Sequence, residues 1–195
     1  MYLSRISLTP QMAHKRIQDD YSVHKMVYDL FSGFDAAGKS RVLYVDKGRL
    51  RGIYTILVLS PNLPKEQDEI HVETKPVAES FLSHRQYAFE VVLNPVRRNA
   101  KTRKLEPVVE LPQLLQWFLE KAKANGFAPD EKRLVARTQS VQTFTAKENT
   151  FTQHKVVFSG TLTVTDPALF AAAFANGIGR GKGFGFGLLQ LNPIS

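Results

Sequence analysis

The 195-residue chain contains no cysteine. That excludes a disulfide framework, a thiolate metal site and a cysteine nucleophile, and it fits a reducing compartment. Long apolar runs are missing too. None reaches the roughly 18 residues of a membrane span, and none near the start resembles a signal peptide. Acid is scarce beside base: 18 Asp and Glu stand against 26 Lys and Arg, for a formal charge of +8. That balance favours an anionic partner, whether nucleic acid, an acidic protein or a membrane surface, and charge alone does not choose among them. The five histidines are scattered, and no carboxylate cluster has the spacing of a two-metal nuclease, so no metal site and no cofactor are expected. These absences leave a basic cytoplasmic protein, and its apolar fraction of 43% is enough to bury a real core.

The pattern of apolar residues predicts an α+β fold. Residues 1–8 alternate apolar and polar as a strand does, and a helix over 19–31 follows, capped by Asp19 or Asp20 and closed by Ser32 and Gly33. Strands are expected at 41–48, 52–60 and 70–75, with a poor helix at best in the proline-containing stretch 61–69. The order β-α-β-β-(α)-β is ferredoxin-like. It then starts again. A strand at 86–95 leads to a helix over 111–127 with Leu114, Leu115, Trp117, Phe118 and Ala122 on its core face. Long strands at 133–144 and 154–165, a helix from Asp166 to a stop at Gly177, and a last strand in "FGFGLLQL" complete the second set. The chain therefore reads as two tandem ferredoxin-like units, 1–84 and 85–195.

The first long helix carries more than its core needs. Val23, Met26, Val27, Leu30 and Phe31 form a complete apolar stripe at 100° per residue. Tyr21, His24 and Tyr28 gather on the other side, beside Lys25, where a solvated helix normally carries Glu, Lys or Gln. Side chains at i and i+3 are neighbours on a helix, so Tyr21 and His24 can share one phosphodiester. Imidazole moves protons near neutral pH, and a phenol can donate to a phosphoryl oxygen.

Three further segments bear on an anion. "RRNAKTRK" puts five cations, Arg97, Arg98, Lys101, Arg103 and Lys104, in eight residues without an acid, either as a solvated loop or as a phosphate contact. Arg137, Lys147 and Lys155 could extend that surface. "GIGRGKGFGFG" places glycine at every second position from 177 to 187 with Arg180 and Lys182 between. A helix cap and a bulged strand need two or three glycines; six point to an approaching anion or RNA backbone, with Gly179 and Gly185 among the candidate contacts. Last, "GFDAAGKS" (33–40) matches a phosphate-binding pattern, but it follows a helix and precedes a strand, the reverse of what that mechanism requires.

Taken together, these motifs resemble the RAMP superfamily of CRISPR-associated RNA-binding proteins, whose glycine loop reads G-h-G, five residues, G-h-G (h hydrophobic). "MYLSR" at the start, Tyr-x-x-His on the first long helix, "NP" at Asn94 and Pro95 and the terminal "GFGFGLLQL" resemble, more narrowly, the CasE (Cse3) endoribonucleases of type I-E CRISPR systems. The resemblance spans essentially the whole chain. It implies a two-domain ferredoxin-like protein that cuts precursor CRISPR RNA at the base of the repeat stem-loop without metal. Attack by a 2′-hydroxyl would leave a 2′,3′-cyclic phosphate and a 5′-hydroxyl. His24 would transfer a proton, as acid or as base, and Tyr21 would assist. The implied partners are the repeat stem-loop RNA and the other subunits of a Cascade complex, with no membrane. The alternatives are a non-catalytic RNA-binding subunit of the same fold and a nucleotide-dependent enzyme using residues 33–40.

Overall fold

A computed structural model describes residues 1–31, 42–65, 67, 70–146 and 149–194, with side chains except at 139 and 141–152. The phosphate-loop match at 33–40, the helix stop at Ser32 and Gly33, and Lys147 lie outside the described residues.

The first unit is a four-stranded antiparallel sheet with helices on one face. It comprises β1 (Tyr2–Leu8), β2 (Leu43–Leu50), β3 (Ile53–Ser60) and β4 (His71–Pro76), in the spatial order β2-β3-β1-β4. Among the described residues, two helices stand between β1 and β2: α1 (Pro10–Arg16) and α2 (Asp20–Leu30). The short α1 is not among the predicted helices, although its signals are in the sequence: the Thr9 hydroxyl accepts from the Met12 amide, and Pro10 sits in the first turn. Asp19 caps α2, its Oδ1 accepting from the Ser22 amide at 2.7 Å and the Ser22 hydroxyl at 2.6 Å. The predicted stripe is the buried one: Val23, Met26, Val27 and Leu30 pack with Ile6, Leu8, Ile56 and Val58 of the sheet. No helix occurs among the described residues between β3 and β4, where prolines at 61 and 64 deny a helix its hydrogen bonds.

The second unit repeats the order with additions. β5 (Gln86–Leu93) is followed by a two-stranded hairpin, β6 (Val96–Arg98) and β7 (Leu105–Pro107), then α3 (Leu111–Ala124), the short β8 (Phe127–Pro129), β9 (Val135–Ala146), β10 (Asn149–Val164), α4 (Pro167–Asn176) and β11 (Gln190–Pro193). The sheet runs β11-β5-β10-β8, and β9 pairs with β10 over residues 149–159. Leu114, Trp117, Phe118 and Ala122 of α3 meet Phe89, Phe127, Phe158 and Phe170 in this unit's core, and Leu115 is only half buried. The predicted last strand is corrected: residues 184–189 are not strand, and β11 starts only at Gln190. Glycine alternating with phenylalanine imitates strand periodicity, but here the backbone turns through positive φ at Gly185 and Gly187.

The two units share a third core. Leu43, Val45 and Leu59 from the first sheet pack with Val92 and Val157 of the second, and Phe174, Phe186 and Leu188 fill the space between. At its edge Lys47 binds Glu90 at 2.5 Å and the Gln190 side-chain oxygen at 3.0 Å, tying β2 to β5 and β11. The glycine-rich segment thus runs along the seam between the units.

Candidate active site

His24 stands where that segment meets α2. Its Nδ1 is 2.5 Å from the Gly183 carbonyl oxygen. Three rings surround the imidazole: Tyr21 at 5.8 Å between centroids, Tyr28 at 4.3 Å and Phe184 at 5.0 Å, the last stacked at 23°. Tyr21 is 59% exposed, so its hydroxyl can meet a ligand while its ring lies along the histidine. The predicted pair is therefore together, and it is completed by a turn from the other unit.

Residues 182–184 form one 3₁₀ turn between Gly181 and Gly185, both in the left-handed region. Farther out, Gly177 and Gly187 let two stretches of backbone cross: the Ile178 amide donates to the Gly187 carbonyl at 3.0 Å, and a Cβ on Gly187 would lie 2.6 Å from the Ile178 oxygen. Several of the glycines thus answer to packing. Gly185 is one of these: it is buried, and a Cβ there would lie 3.1 Å from the Tyr44 ring. Gly179 and Arg180 are exposed and Lys182 is half-buried.

The expected cations divide in the same way. "RRNAKTRK" is an ordered hairpin rather than a loop: Asn99 Oδ1 accepts from the Lys101 and Thr102 amides, the Arg98 guanidinium donates to the Arg103 carbonyl, and Arg97 lies 3.7 Å from Glu120. Lys101, Arg103 and Lys104 are exposed on it. The hairpin springs from the end of β5, where Leu93 approaches Gly179, and the neighbouring Gln153 side chain touches Gly181. Basic hairpin and glycine segment thus share one end of the sheet. Arg137, exposed, pairs with Val157, a residue of the seam core, so it shares the sheet face turned to the first unit. Lys155 is buried, at 9% exposure, and close enough to Asp20 for its ammonium to offset part of what burial does to that carboxyl, which still rises above the usual range. Nearby, burial pushes the hydroxyls of Tyr44 and Tyr54 well up, and Tyr54 donates to Asp46. Among the described residues no three of His, Asp and Glu gather as a metal would require.

Sequence reasoning misses Phe184 and the Gly183 carbonyl. In sequence the ring is one apolar residue of an expected strand, and a main-chain oxygen leaves no trace in residue type. Asn94 stands there only as part of a motif; its side-chain oxygen accepts from the buried His154 amide at 3.1 Å and fixes β10 against the end of β5.

Paired ferredoxin-like units sharing a core, with a glycine-rich turn of one laid on a histidine helix of the other, define a RAMP-type fold. The chain belongs to the CRISPR associated protein family, whose profile matches residues 1–193. It is 25% identical over 221 residues to the CRISPR-associated endoribonuclease Cse3 of Thermus thermophilus, covering 99% of this chain and all of that one. Its fold matches a structure of CRISPR endoribonuclease Cse3 bound to a 19-nucleotide RNA, with TM-score 0.86, 23% identity and coverage of 99% and 100%. A chain of a CRISPR RNA-guided surveillance complex matches with TM-score 0.75 and 20% identity over the full length of both. No described helix is long and apolar enough to cross a membrane.

Proposed function

We propose that the protein is a metal-independent endoribonuclease that cuts precursor CRISPR RNA at the base of the repeat stem-loop and keeps the product within a Cascade complex. The observation that carries the reading is His24: an imidazole anchored at one nitrogen and flanked by an exposed tyrosine, on a helix face outside the buried apolar stripe. The similarity to Cse3 supports the substrate, and the likeness to a chain of a surveillance complex supports the assembly.

The 2′-hydroxyl upstream of the scissile phosphate attacks phosphorus and the bond to the 5′-oxygen breaks, giving a 2′,3′-cyclic phosphate and a 5′-hydroxyl. One proton must leave the 2′-oxygen and one must reach the 5′-oxygen. His24 carries out one of these transfers and solvent water the other. Tyr21 donates its hydroxyl to a phosphoryl oxygen. Metal independence follows in this reading from these two side chains, which supply proton transfer and charge stabilisation themselves. Gly179, Arg180 and Lys182 meet the backbone near the cut, and Arg137 with the cations of the β6–β7 hairpin holds phosphates of the stem, whose A-form is recognised by shape and charge.

The test is cleavage of an end-labelled repeat stem-loop in EDTA. Wild type cuts; His24→Ala is slower by about 10²- to 10⁴-fold with RNA affinity nearly intact, and a 2′-deoxy group upstream of the cut blocks the reaction. Tight binding without cutting would make Tyr21 and His24 a contact surface and the protein a binding subunit.

A further inference from the structure

A histidine has two ring nitrogens, and a hydrogen bond at one settles which is left to react. A carbonyl oxygen only accepts. With the Gly183 oxygen 2.5 Å away, Nδ1 of His24 carries the hydrogen, and the neutral ring accepts at Nε2 alone. The plane of the ring is held as well. Phe184, the next residue of the same turn, stacks on it at 5.0 Å. Gly183 does not have a positive φ, so its backbone would suit any residue; what it supplies is room. A Cβ there would stand 3.3 Å from the Tyr28 hydroxyl and 3.9 Å from His24 Cε1. Both holding groups therefore come from one turn, fixed at each end by a left-handed glycine and lying on the opposite unit.

We propose that Gly183 and Phe184 are positioning residues for the cleavage reaction, a proposal that rests on His24 being its proton-transfer group. The Gly183 carbonyl fixes the tautomer with hydrogen on Nδ1, the Phe184 ring fixes the imidazole plane, and Nε2 is the nitrogen that exchanges protons with the RNA. Neither residue touches the reacting atoms. The second unit thus orients the acid–base group of the first.

Two readouts test this. Nitrogen-15 spectra of ring-labelled protein, assigned by comparison with His24→Ala, report the tautomer without any turnover. Free imidazole in histidine favours hydrogen on Nε2, so a neutral His24 carrying it on Nδ1 is diagnostic of the carbonyl. Single-turnover cleavage reports the plane: Phe184→Leu should be slower by about 10- to 100-fold, the range a displacement near 1 Å can produce, with RNA affinity within about twofold. Phe184→Tyr, which keeps the ring, should recover most of the rate. Gly183→Ala should be slow as well, and adding Tyr28→Phe, which removes the oxygen the new methyl meets, should restore part of it. Hydrogen on Nε2 in wild type, or full-rate cleavage by a folded Phe184→Leu, overturns the positioning role and leaves the endoribonuclease reading standing. A wild type that never cuts removes that reading and this proposal with it, whatever the tautomer.

Discussion

Asp19 shows how one side chain outside the proposed centre helps set the position of Tyr21 and His24. Its carboxylate closes the first turn of α2, two and five residues before Tyr21 and His24. The Ser22 hydroxyl and amide hold that carboxyl below its usual range. A carboxyl lowered on folding contributes stability above the unfolded value and loses it as pH falls through the folded one. Asp19→Ala should therefore cost about 1 kcal/mol near neutral pH, and in urea denaturation the difference from wild type should shrink as pH drops below about 4. At this scale the sequence is readable wherever a period governs. Tyr21 and His24 stand out because the apolar stripe is complete without them. The burial of Lys155 is not legible, because a lysine in a strand counts as charge until its surroundings are known, and Asp20, which answers it, is far away in sequence.

Among the elements, the β6–β7 hairpin is the one proposed to grip the stem. Its tip is wound around Asn99, and Arg103 accepts a φ of 59° there, so its cations are presented on a shaped support. Lys101→Gln with Lys104→Gln should weaken binding of repeat RNA and flatten the plot of log affinity against log salt by about 2 in slope, one for each lost phosphate contact. Cleavage at saturating protein should be unchanged. An unaltered salt slope would place the stem elsewhere. The elements also show where reading a sequence fails. Composition marks residues 97–104 as basic, but their pairing depends on side-chain turns that have no periodicity. Residues 184–189 alternate as a strand does, yet they must cross the seam, and the glycines that permit the crossing also break the ladder.

For the whole molecule, the decisive feature is the core shared by the two units. Eight buried apolar residues from both units meet there, and the Lys47 bridge lies at its edge. Separating the units would expose all of them, so neither half should be stable alone at the level of the intact chain. Heating should give a single calorimetric transition whose measured enthalpy equals the van't Hoff value; two resolved transitions would mean that the units unfold independently. The tandem fold is legible in the repeated order of strands and helices. The seam is not, because a strand's inward and outward faces look alike when both are apolar.

One consequence belongs to optics. Trp117 is the chain's single tryptophan, 4% exposed in the second unit's core, and its indole Nε1 donates to the Val96 carbonyl at the root of the basic hairpin. The protein therefore contains its own fluorophore, in an apolar setting and attached by one hydrogen bond to the element proposed to grip the stem. Under excitation selective for tryptophan, its emission reports on that hairpin with no dye attached, while the histidine helix, which has tyrosines but no tryptophan, stays dark.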